Sequence, residues 1–105
     1  MIIKGEMTNQ TVRVVARVVA IPENLEQVRA ILMGLIEPTR KEEGCIQYQL
    51  LQNDTEPTDF TFVEEWTSNA ALDVHLASSH IEAASDKLEG LIASEPDIRL
   101  YKLLA

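Results

Sequence analysis

Cys45-Ile46-Gln47-Tyr48-Gln49-Leu50-Leu51-Gln52 and Phe60-Thr61-Phe62-Val63-Glu64-Glu65-Trp66 flank the stretch Asn53-Asp54-Thr55-Glu56-Pro57-Thr58-Asp59. Both flanks alternate, and the residues between them are turn formers, so the segment reads as a β-hairpin. In the first strand Ile46, Tyr48 and Leu50 share one face, with Gln47, Gln49 and Leu51 opposite. In the second, Phe60, Phe62, Glu64 and Trp66 share a face against Thr61, Val63 and Glu65, because strand side chains alternate. Glu64 is therefore carried between aromatic rings. That is an unusual place for a carboxylate.

Upstream, Gly44 is placed to stop a helix after Glu43. Pro22-Glu23 suits the start of that helix, and Leu25, Val28, Leu32, Leu35 and Ile36 recur at helical spacing. Pro38 predicts a kink, having no N–H to donate. Thr11 to Ala20 is rich in β-branched residues and predicts a strand. Downstream, Thr67-Ser68-Asn69 offers caps for a short helix bearing Ala71, Leu72 and His75. Ser79 with Glu82 has the capping-box pattern, which predicts a second helix beginning near His80 and buried through Ile81, Ala84, Leu88, Leu91 and Ile92. Pro96 closes it, and Ile98 to Leu104 alternates as a last strand. The order is β-α-β-β-α-β, an α+β ferredoxin-like split βαβ arrangement.

Helices of this arrangement cover one sheet face. The other carries Val15, Val19, Leu51, Val63, Tyr101 and Leu103. An apolar patch of that kind marks an interface, and a symmetric homodimer packed sheet to sheet is the simplest cover.

At 105 residues the chain suits one domain over 11–105, with residues 1–10 as a loose, flexible N-terminal lead-in and Met7 as an alternative start to Met1. No apolar run is long enough to span a bilayer, and the opening residues lack signal-peptide features, so the expected location is cytoplasmic. A single cysteine forms no internal disulfide. Seventeen acidic against nine basic residues give a formal charge of −8. That balance argues against nucleic-acid partners, since no basic patch interrupts it.

Three motifs carry a resemblance: Arg40-x-Glu42-x-Gly44-Cys45-x-x-Tyr48, Glu64-x-Trp66, and Ala71-Leu72-x-x-His75-x-x-Ser78-x-His80. Together they resemble the antibiotic biosynthesis monooxygenase (ABM) domain family, in its quinol monooxygenase-like branch, over residues 11 to 104. The resemblance implies a dimeric α+β barrel with a pocket between helices and sheet. It also implies a cofactor-independent oxidoreductase, a monooxygenase acting on a quinol or similar electron-rich aromatic with molecular oxygen. Relatives that isomerise small phosphorylated carbonyl compounds, and a non-enzymatic dimeric ligand-binding module, are the alternatives. Haem degradation is disfavoured. The positions matching its tryptophan and histidine hold His75 and Ser85, and the first strand has no asparagine.

Among the candidate residues, His75 is the expected catalytic base, because imidazole accepts protons near neutral pH. Glu64 is the second catalytic candidate, orienting His75 or binding a substrate hydroxyl. Its bland reading is an ion pair with Arg13 or Arg17. Tyr48, Trp66 and Phe62, with Phe60, are expected to wall an aromatic ligand, although such residues also build plain cores. His80 is counted with the substrate contacts or as a helix cap. On an uninterrupted helix it lies about 140° from His75, so no metal pair is expected. Cys45 reads as a small buried hydrophobe. Arg40 and Glu42 are expected to tie the first helix to neighbouring backbone.

Overall fold

The structure is a computed structural model, and it describes residues 10–105. The lead-in expected at residues 1–10 falls, except for Gln10, outside the described residues.

Four strands, β1 (Val12–Val19), β2 (Cys45–Gln52), β3 (Asp59–Trp66) and β4 (Asp97–Tyr101), form one antiparallel sheet in the order β2-β3-β1-β4. A 3-10 turn (Pro22–Asn24) leads into α1 (Leu25–Met33) and α2 (Ile36–Arg40) between β1 and β2. Two further helices, α3 (Asn69–Leu76) and α4 (Ser79–Leu88), separate β3 from β4. This is the ferredoxin-like α+β fold. Among the described residues no helix is long and apolar enough to cross a membrane.

The core follows strand alternation. Val14, Ala16 and Val18 of β1 and Phe60, Phe62, Glu64 and Trp66 of β3 are buried beneath the helices, together with Val28, Leu32, Leu72, Ala84 and Leu88. Burying each valine, leucine or phenylalanine of this set contributes roughly 1.5–3 kcal/mol.

Several boundaries differ from expectation. The break in the first helical segment comes at Gly34 and Leu35 rather than at Pro38. A proline withdraws its hydrogen bond from the carbonyl four residues earlier and crowds it, and for Pro38 that residue is Gly34. The distortion therefore appears one turn upstream. Ile46 leaves the buried face because the β2–β3 register slips between Cys45 and Gln47, and it is 50% exposed. Cys45, Tyr48 and Leu50 thus share the helix side of β2. The cap of α4 is Ser78, not Ser79: its Oγ accepts from Ile81 N–H. That helix stops at Leu88, and Gly90 at φ 83 turns the chain so that Ile92 bridges to Ala20. The last strand ends at Tyr101 rather than Leu104.

Gly44 stands where a glycine is required. Its φ is +89, and a Cβ built on it would lie 2.5 Å from Ala71 Cβ and 2.8 Å from Thr67 Oγ1. The missing side chain lets α3 seat directly over the start of β2.

The open sheet face carries Val15, Val19 and Val63, all partly buried, with exposed Leu51 and Tyr101 at its margins, while Leu103, expected there too, lies past the end of β4. Arg13 and Arg17 share it, paired with Glu65 at 3.5 Å and Asp59 at 3.1 Å. The expected ion pair with Glu64 is therefore not formed, since Glu64 faces the helices.

Candidate functional site

A cavity of about 590 Å³ opens between the helices and the sheet. Its walls are mainly aliphatic, with Val14, Ala16 and Leu35 on one side and Ile81, Ala84 and Leu88 on another. Tyr48, Phe62, Glu64 and His75 all line it. β2 and β3 place the first three: Tyr48 pairs across from Glu64 in register, and its ring stacks on Phe62 at 4.9 Å between centroids. His75 arrives from the last turn of α3. Ser68 caps that helix by accepting from Ala71 N–H, which turns the chain back over the sheet directly after Trp66.

Trp66, Phe60 and His80 were expected on the same walls but stand elsewhere. Trp66 is fully buried behind the cavity, donating its Nε1–H to Glu64 Oε1 at 2.9 Å and packing its ring 4.6 Å from that of His75. Phe60 is plain core. His80 lies outside the cavity wall.

Glu64 does not orient His75. That position is held by Glu42, whose Oε2 is 2.7 Å from His75 Nδ1 and 2.7 Å from His80 Nε2. The expected separation of the two histidines fails because the helix is interrupted. α3 ends at Leu76 and α4 begins at Ser79, and the intervening turn brings the rings to 6.1 Å. Ser78 secures that turn by donating its hydroxyl to the His75 carbonyl at 2.7 Å. One donor atom from each of Glu42, His75 and His80 lies within 4.8 Å of the others, a spacing that could hold a metal ion. Glu42 carried only a fold-level expectation. The signal that it does more was its place in the motif with Gly44 and Cys45. Arg40 does perform the fold-level task, donating from Nε and Nη2 to the Tyr48 carbonyl at 3.0 and 2.9 Å.

Burial sets the protonation of the site. It raises the Glu64 carboxyl to about 7, the Trp66 hydrogen bond opposing and the Glu42 charge adding to the rise. It lowers His75 from its ordinary value of 6.5 against the pull of Glu42, so the imidazole is neutral at neutral pH. The Tyr48 phenol is driven upward by burial and then by Glu64, and stays protonated. Burial, followed by Glu42 and Glu64, also raises the Cys45 thiol. It is not a thiolate nucleophile. The cavity therefore presents a neutral imidazole, a phenol and a carboxyl that titrates near neutrality, close together in a mainly apolar chamber.

Comparison with known proteins agrees with this architecture. A family profile described as antibiotic biosynthesis monooxygenase matches residues 11–87. An uncharacterised protein of Synechocystis is 35% identical over 82 residues, covering 78% of this chain and 56% of that protein. The chain thus spans little more than half of that relative. Rv0793 of Mycobacterium tuberculosis, named provisionally as a monooxygenase, is 36% identical over 69 residues, 66% of this chain and 67% of its own. A crystal structure from Pseudomonas aeruginosa superposes with a TM-score of 0.88 at 30% identity, covering 93% of this chain and 98% of that one. By its sequence, its fold and the match over most of its length, the chain belongs to the antibiotic biosynthesis monooxygenase family.

Proposed function

We propose that this protein is a monooxygenase that oxidises a quinol or similarly electron-rich phenolic compound with molecular oxygen, without a flavin or metal. One observation carries the reading: a neutral imidazole, a phenol and a protonatable carboxyl line one cavity of about 590 Å³ whose other walls are mainly apolar. An aromatic ring fits such a chamber, with its hydroxyls directed at those polar groups.

His75 is the base. It takes the proton of a substrate hydroxyl, and the resulting quinolate is a far better one-electron donor to oxygen than the neutral quinol. For a simple quinol the balance is one quinol and one O₂ giving a hydroxyquinone and water. One oxygen atom enters the ring and the other leaves as water, and the substrate supplies the electrons. Glu64, held by Trp66, contacts a substrate oxygen. Tyr48 and Phe62 flank the ring.

The phosphorylated-carbonyl alternative is weaker, because the cavity walls among the described residues include no lysine or arginine. Their acidic members are Glu64, Glu89 and Glu95. Arg13 and Arg17 sit in ion pairs on the opposite sheet face. A neutral ligand is favoured on electrostatic grounds.

The partly buried valines of the open face support a second element of the reading, a homodimer packed sheet to sheet. Oxygen uptake and quinone formation with a panel of quinols test the activity. His75→Ala is expected to lower turnover by about 10²–10⁴, the usual worth of a positioned base, while His80→Ala costs much less. Equal rates for wild type and a folded His75→Ala, read against circular dichroism, would remove His75 from the chemistry.

A further inference from the structure

His75 and His80 are the chain's two histidines, and both meet one oxygen of one carboxylate. Glu42 Oε2 is 2.7 Å from Nδ1 of the first and 2.7 Å from Nε2 of the second. The three side chains grade outward, His75 being 2% exposed, Glu42 12% and His80 24%. Ser78 Oγ lies 3.3 Å from the same nitrogen of His80.

An ionised carboxylate accepts hydrogen bonds and donates none. Each ring nitrogen facing Glu42 Oε2 must therefore carry its proton. For His75, which burial keeps neutral, a proton on Nδ1 leaves the lone pair on Nε2. His75 also lines the cavity, and Glu42 occupies its Nδ1. We infer that Glu42 is a positioning residue: it fixes His75 in the Nδ1–H tautomer, keeps Nε2 free to accept a proton from the cavity, and is itself pinned by His80.

The logic is that of any carboxylate–imidazole pair, in which the tautomer at one nitrogen is set by the hydrogen bond at the other. When Nε2 takes a proton, the imidazolium forms beside an anion at 2.7 Å, which lowers the cost of charging a buried ring. His80 matters because a single hydrogen bond leaves a glutamate several rotamers, whereas a second donor on the same oxygen holds it in one. The inference rests on the reading of His75 as the base.

A metal ion is the competing occupant of this cluster. Two ligands on one tetrahedral ion at about 2.0–2.1 Å would stand roughly 3.3 Å apart. The 2.7 Å contacts match charge-assisted hydrogen bonds instead.

The test needs no substrate. In untagged, metal-free protein labelled with ¹⁵N-histidine, two-bond correlation spectra near neutral pH report which nitrogen of each ring carries the proton. His80→Ala leaves a single histidine and so assigns the signals. The expected result is a neutral His75 with Nδ1 protonated and Nε2 bare, a pattern lost or mixed in Glu42→Ala and kept in Glu42→Gln, whose amide oxygen still accepts. A wild-type His75 protonated on Nε2 overturns the inference without requiring that any variant fold. An unchanged tautomer in a folded Glu42→Ala overturns it equally. So does stoichiometric loss of both histidine signals on adding one equivalent of Zn²⁺ or Co²⁺ at micromolar protein, which would make the cluster a metal site. Failure here is distinct from failure of the oxygen-uptake experiment, which reads turnover and not the tautomer.

Discussion

Trp66 donates its indole N–H to Glu64 Oε1 across 2.9 Å, the two side chains lying on the same buried face of β3. The bond gives a buried carboxyl one partner without neutralising it. Desolvation outweighs it, and Glu64 rises from 4.5 to about 7.

A stability prediction follows from that rise. Glu64 binds its proton more tightly in the folded chain than in the unfolded one. Its contribution is therefore fully present below 4.5 and lost as pH rises through about 7. At about 1.4 kcal/mol per pH unit the loss is capped at about 3 kcal/mol. Relative to wild type, Glu64→Gln should melt higher at about pH 8 than at about pH 5. Thermal unfolding of both proteins across that range measures it, and parallel pH curves would show that Glu64 is solvated or otherwise paired.

Gly44→Ala is expected to destabilise the fold by at least about 2 kcal/mol. The new methyl would sit 2.5 Å from Ala71 Cβ at a backbone φ of +89, so strain and collision add. For a chain of this size that lowers Tm by about 8 °C or more. Since Ala71 and His75 share α3, the displaced helix should also reduce quinol turnover at temperatures where the variant is folded. A Tm within a degree or two of wild type would mean that the α3–β2 contact yields easily.

The hairpin, its aromatic face and the buried Glu64 were legible because strand alternation is a local rule. Each β3 side chain from Phe60 to Trp66 falls on the side its parity dictates. Four other features were not. The slip at Ile46 comes from how β2 pairs with β3, which β2 alone does not encode. The Gly34 break reports Pro38 at one turn's distance. Glu42 lies 33 residues from His75 and reaches it only because Gly44 lets α3 close over β2. The 140° between His75 and His80 holds only on one continuous helix, and the turn between the two helices that the capping residues predict, with Ser78 capping α4, sets it aside.

The open sheet face yields a prediction about assembly. Val63 pairs in register with Val15 on one side and Gln49 on the other, at the middle of that face. If a second copy covers it, Val63→Lys buries an unpaired charge in the contact and should give monomer or aggregate. Multi-angle light scattering of wild type at micromolar concentration is the check. A stable wild-type monomer would remove the dimer from the reading.

The two titrating groups of the cavity predict the shape of the pH–rate profile. In its proposed role as base His75 must be unprotonated, so kcat/KM should rise with pH through its value, which burial places below 6.5. If Glu64 donates a hydrogen bond to a substrate oxygen it must be protonated, so the rate falls as pH passes about 7. The product is a bell with a narrow top between the two. Quinols oxidise faster on their own as pH rises, so the enzyme-free rate must be subtracted at each point. Glu64→Gln keeps a donor that does not titrate, and it should abolish the alkaline limb while leaving the acid limb in place. An alkaline limb that survives in Glu64→Gln at about the same pH would assign it to another group and reduce Glu64 to a structural partner of Trp66. Loss of the acid limb in that variant would instead mean that the base role belongs to Glu64 and not to His75.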